Sequence, residues 1–124
     1  MLNQVLITIA AILGGTSVAA GAFGAHALGD KLSDRSLQIF ETAARYQMYH
    51  ALAILLVVSF ARSQPQPFLT TSAFAFLAGI ALFCGSLYAL SLGGVKWLGA
   101  IAPIGGLAFM IGWGCLAIAA WQKS

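Results

Sequence analysis

Charge is what this chain has least of. Only 7% of its 124 residues are charged and 60% are hydrophobic, where a soluble domain carries roughly 25% and 45–50%. There are three acids, Asp30, Asp34 and Glu41, and a formal net charge of +3. So few bases, so thinly spread, exclude a nucleic-acid footprint. Bases near a bilayer reflect topology and headgroup contact instead.

Cysteine is nearly as scarce. Cys84 and Cys115 show no CxxC or CxH spacing, so neither a redox pair nor a metal framework is expected, and each reads as an apolar thiol. No His-x-x-x-His is present, and zinc needs three or four ligands in close geometry. Gly21-Ala-Phe-Gly24 has none of the strand–loop–helix context that a phosphate-cradling loop requires. Ser86, in Cys84-Gly-Ser86-Leu87, has no elbow or neighbouring base and reads as a helix-packing residue. No catalytic, cofactor or metal site can be assembled, and an enzyme is the least supported class. Period-2 alternation is also missing, which excludes the strands of a membrane barrel.

What the chain has is uncharged length. Runs of 29, 16, 33 and 26 residues cover 1–29, 46–61, 63–95 and 97–122. A spanning helix needs roughly 20 residues, so four spans fit if the second borrows from the polar segment before it. Only helices and closed barrels satisfy their backbone in lipid. The expectation is a single all-α domain over 1–124: a bundle of four transmembrane helices at about 3–24, 36–61, 68–90 and 97–121. The first has no basic n-region and is too long for the apolar part of a signal peptide, so a retained helix is expected. Ser33 or Asp34 can cap the second, and no Gly or Pro interrupts it from Ser36 to Phe60. Its first turns should lie at headgroup level. The polar turn Arg62-Ser-Gln-Pro-Gln-Pro67 separates it from the third. Trp97 and Trp121 suit the two membrane interfaces of the fourth.

Two features of the spans carry packing expectations. Ala11, Gly15 and Ala19, with Ser17 and Gly21, have the small-xxx-small spacing that lets helices approach closely. This reads as packing within the bundle ahead of a dimer seam. Pro103, followed by Ile104-Gly105-Gly106, is expected to kink or locally unwind the fourth helix.

All three acids and both histidines fall between His26 and His50, and any recognition surface should lie there. The candidate polar cluster is His26, Glu41, Arg45, Tyr46, Gln47, Tyr49 and His50. At about 100° per residue, Glu41 and Arg45 are neighbours, and an ion pair closing the shallow end of the bundle is expected. Thr42, Tyr46 and Tyr49 form a second stripe, and Ala43, Gln47 and His50 a third. One acid–base site from Glu41, Arg45 and His50 is therefore excluded, since such groups must reach one shared atom.

Gly21-Ala-Phe-Gly-Ala-His26-Ala-Leu, then Phe40-Glu-Thr-Ala-Ala-Arg-Tyr-Gln-Met-Tyr-His50-Ala-Leu, resembles the signature of domain-of-unknown-function family 423. Gly85-Ser-Leu-Tyr88 and Trp97-Leu-Gly-Ala-Ile-Ala-Pro-Ile-Gly-Gly106 extend the resemblance over nearly the whole chain. One departure is Ala102, where the family pattern leads one to expect Thr before the proline. The resemblance implies a small four-helix bacterial inner-membrane protein, with the eukaryotic transmembrane protein 256 as a relative, and it implies no activity.

The expectation is thus a non-enzymatic structural or accessory protein in the inner or plasma membrane. Its partners would be the lipid bilayer and either further copies of itself or a membrane complex. The competing reading is a small transporter, channel or lipid-binding protein using the 26–50 segment. Four spans put both termini on one side. Lys31, Arg35 and Lys96 outnumber Arg62 and Lys123, so the positive-inside rule puts the polar segment in the cytoplasm and the termini outside.

Overall fold

A computed structural model describes residues 1–122; Lys123, one of the bases counted above, lies outside them. Helix α1 spans Leu2–His26, α2 Asp34–Ser63, α3 Pro67–Gly79, α4 Gly85–Gly93 and α5 Ala102–Trp121. A π-helical turn, Ile80–Cys84, joins α3 to α4, and a 3₁₀ turn, Lys96–Ala100, precedes α5. Counting each joined pair as one span gives, among the described residues, four helices long and apolar enough to cross a membrane.

The boundaries follow from local chemistry. Ser33 caps α2, its Oγ accepting from the Ser36 N–H at 3.1 Å, which satisfies one of the helix's free amides. With no Gly or Pro inside, α2 continues for 30 residues, about 45 Å at 1.5 Å per residue. It is longer than the hydrocarbon is thick. Gly94 ends α4 in the left-handed region, φ 68°, a conformation that glycine adopts without steric cost.

Pro103 does not kink a helix. It sits in the first turn of α5, where its missing N–H would have had no helical partner. The preceding 3₁₀ turn absorbs the change that a mid-helix proline would have forced.

Helix α2 is the hub: it packs against α1 on one side and against α3 and α4 on the other, while α3 lies along α5. The core holds Ile54, Val57 and Val58 of α2 against Leu69, Ala73 and Phe76 of α3 and Phe109 of α5. The seam between the third span and α5 is set by glycines facing aromatic rings. A Cβ on Gly112 would lie 2.6 Å from the Phe76 ring, one on Gly79 2.3 Å from the Phe109 ring, and one on Gly105 2.2 Å from the Phe83 backbone N. Steps of three and four residues up the third span (Phe76, Gly79, Phe83) match equal steps back along α5 (Gly112, Phe109, Gly105). Such matching defines an antiparallel register. The Ser72 hydroxyl also donates to the Gly112 carbonyl across this seam, at 2.7 Å and fully buried.

The small-residue stripe of α1 is placed differently from expectation. Helix α1 packs chiefly on α2, through Leu6, Ala10, Ser17 and Gly24. Ala11, Gly15 and Ala19 are exposed, and nothing lies within 4 Å of where a Gly15 side chain would begin. With only one neighbouring helix, α1 can bury only one face.

Candidate functional site

The seven candidate residues do not form one cluster. Helical rotation distributes them over three separate environments, and His26 ends α1 exposed and apart.

Gln47 is 6% exposed and ties three helices together. Its Nε2 donates to the Leu13 carbonyl and to Thr16 Oγ1 on α1, both at 2.8 Å, while its Oε1 accepts from the Tyr88 hydroxyl on α4 at 2.8 Å. The Leu13 carbonyl can only accept, which fixes the orientation of the amide. Tyr88 packs edge-on to Phe40 at 5.1 Å. Every polar atom in this knot has a partner, as an apolar interior requires.

His50, 4% exposed, sits near the middle of α2 with both ring nitrogens bonded. The indole N–H of Trp113 donates to His50 Nε2 at 3.1 Å. An indole nitrogen is a donor only, so Nε2 must offer its lone pair. The proton is therefore on Nδ1, which donates to the Tyr46 carbonyl at 2.8 Å. Phe109 lies flat on the imidazole, centroids 3.6 Å apart and planes at 8°. In this neutral tautomer the ring has no free nitrogen with which to take up or pass on a proton.

Beside His50 an aromatic groove of about 500 Å³ opens sideways, lined by Tyr46, Tyr49, Phe83, Phe109, Met110 and Trp113. The Tyr46 ring lies tilted against Phe83 at 5.0 Å and against Tyr49 at 5.6 Å, with planes at 39° and 56°. The π-helical turn carries Phe83 into place: its wider ring, closed by Gly85 N–H to the Ile80 carbonyl, turns the chain where Gly105 admits the backbone. Such turns recur at functional positions in helices.

Glu41 and Arg45 are both exposed and line a different groove, about 370 Å³, between α1 and α2. Contrary to expectation, no ion pair joins them among the described residues. A pair of exposed long side chains gains about 0–1 kcal/mol at most and loses rotamer freedom, so helical adjacency alone does not enforce the contact. No group of three or more His, Cys, Asp or Glu side chains that could hold a metal comes together among the described residues.

A family model described as "Protein of unknown function (DUF423)" matches residues 20–106, the stretch that contains Gln47, His50, Tyr88 and the Phe83–Gly105 contact. The chain belongs to this family. Its relatives include the UPF0382 membrane protein YwdK of Bacillus subtilis, 44% identical over 94% of this chain and 96% of the relative. A UPF0382 membrane protein of Staphylococcus epidermidis is 46% identical, over 94% of each chain. One of Haemophilus influenzae is 39% identical, also over 94% of each. No solved structure matches. Like these DUF423 relatives, the chain is a membrane protein, and no specific biochemical role comes with the family.

Sequence reasoning overlooked the partners that give Gln47 and His50 their meaning, namely Thr16, Phe109 and Trp113. Tyr88 entered only through the resemblance. The available signal was the matched spacing of Phe76, Gly79 and Phe83 with Gly105, Phe109 and Gly112, which brings Phe109 and its neighbour Trp113 to the level of the third span's midpoint.

Proposed function

We propose that the protein is a non-enzymatic accessory component of the inner or plasma membrane, acting through contact of α1 with a second copy of itself. The observation that carries this reading is the free face of α1. Ala11, Gly15 and Ala19 are exposed, spaced for close helix approach, and the Gly15 site has open space before it.

Two further points support it over turnover or conduction. Both nitrogens of His50, the histidine at mid-span, are engaged. The interior along α2 is filled by Phe76, Ile54, Val57 and Val58.

Cysteines placed at Ala11 or Ala19, in a background lacking Cys84 and Cys115, are expected to cross-link neighbouring copies in native membranes. Gly15→Leu should abolish the dimer seen by native mass spectrometry while changing bundle stability by less than about 0.5 kcal/mol, as for a surface site. A protein that stays monomeric and gives no cross-link would sink the reading.

The orientation favoured by the bases puts Lys31, Arg35 and Lys96 in the cytoplasm and the termini outside. A single cysteine added after Ser124 in the same cysteine-free background should then react with an impermeant thiol reagent in intact cells. Labelling only after lysis would reverse the assignment.

A further inference from the structure

The groove between α1 and α2 brings together two charged side chains, Glu41 and Arg45, that neither helix packing nor the proposed self-contact uses. Its lining is Ser17, Val18 and Gly21 from α1 with Glu41, Ala44, Arg45 and Met48 from α2. The α1 wall is small: at Gly21 nothing lies within 4 Å of where a side chain would begin. One carboxylate and one guanidinium therefore share an open space of about 370 Å³, exposed and without an ion pair among the described residues. They are the titratable side chains that line it.

Depth orders these two charges. Helix α2 starts at Asp34, so Glu41 lies nearer that membrane face, with Arg45 about 6 Å deeper at 1.5 Å per residue. Helical side chains lean toward the helix N-terminus, which for α2 is this same face, and long charged side chains extend toward the headgroups. The groove thus carries a negative group rooted about one helical turn nearer the water than the positive group beneath it.

We infer that this groove is a binding site for the headgroup of an ethanolamine phospholipid, with its phosphate on Arg45 and its ammonium on Glu41. In such a lipid the phosphate lies nearer the acyl chains, and the ammonium follows it toward water across a two-carbon bridge. That order is the one the helix presents. A guanidinium suits phosphate through paired charge-assisted hydrogen bonds, and an ammonium gives a carboxylate N–H donors. A glycerol headgroup would satisfy Arg45 but bring only an anion and hydroxyls near Glu41. A choline headgroup has the right charges and no N–H to donate. Selectivity for ethanolamine over both therefore depends on Glu41, and phosphate affinity on Arg45. The groove opens along the flank of the bundle, so the ligand is a lipid rather than soluble phosphoethanolamine.

The test uses the full chain, stripped of lipid in mild detergent and exposed to equal concentrations of ethanolamine, glycerol and choline phospholipids of matched acyl chains. Native mass spectrometry should show the ethanolamine lipid retained about tenfold over the other two, a difference within reach of one charge-assisted bond. Arg45→Ala should lower retention of all three. Glu41→Gln should abolish the ethanolamine preference while leaving phosphate-dependent retention. A tenfold excess of soluble phosphoethanolamine should not displace the lipid, and displacement would overturn the lipid assignment. Equal retention of the three lipids by the unaltered chain, or an unchanged preference in Glu41→Gln, would overturn the site. Thermal unfolding of each variant checks the fold. Should Arg45→Ala fail to fold, Gly21→Leu blocks the same groove from α1, and unchanged retention there would also overturn it.

Discussion

Gly105→Ala is expected to destabilise the bundle by more than about 3 kcal/mol, at or beyond the upper end for overpacked interiors. A Cβ there would lie 2.2 Å from the backbone N of Phe83, 2.7 Å from its Cα and 2.7 Å from its Cβ. Flexible side chains can swing aside, but these atoms belong to the main chain and its first branch. Relief requires α5 to move off the third span or the π-helical turn to rewind. Either change would displace Phe83 from the aromatic groove and loosen the stacking of Phe109 on His50. Thermal unfolding in mild detergent, followed by circular dichroism, gives the comparison. Gly114→Ala and Gly85→Ala are the controls, because nothing lies within 4 Å of a Cβ at either. Both should stay within about 0.5 kcal/mol of the unaltered chain, or gain slightly from alanine's helix propensity. A Gly105→Ala protein as stable as these controls would show that the close seam does not hold the helices together.

How much of this was legible beforehand depends on which force does the specifying. The scarcity of charge and the lengths of the uncharged runs dictate spans directly, because lipid tolerates so few alternatives. Ser33 before a long stretch free of Gly and Pro marked the start of α2 for the same kind of local reason. The polar residues were harder. Rotation about one helix correctly separated Glu41 and Arg45 from His50, yet it could not say that Gln47 and His50 lie on different neighbours. Those contacts depend on Thr16, Tyr88 and Trp113, which are distant in sequence. Pro103 was misplaced because its effect depends on where the helix begins, and composition alone left the 3₁₀ turn before it invisible. The outward stripe of α1 was misjudged because spacing shows that a face can pack closely and does not show which helix is there to meet it.

The Phe76–Gly112 contact offers the second large effect and a sharper test of the seam. Phe76 is fully buried, and Phe76→Ala should cost about 3–5 kcal/mol through lost burial and the cavity left behind. Gly112→Ala should cost about 1–3 kcal/mol by overpacking, since its Cβ would meet the Phe76 ring at 2.6 Å. Here the obstacle is the ring itself. Truncating Phe76 opens the space that the new methyl needs, so the double variant should be less destabilised than the sum of the two by about 1–3 kcal/mol, as for residues in direct contact. Gly105 must behave otherwise. Phe83→Ala removes the ring but keeps the N, Cα and Cβ atoms that obstruct a Gly105 side chain, so it should not rescue Gly105→Ala. Additive effects in the Phe76–Gly112 pair, or rescue in the Phe83–Gly105 pair, would contradict the register. Coupling in the first with none in the second would separate a side-chain fit from a backbone one along the same pair of helices.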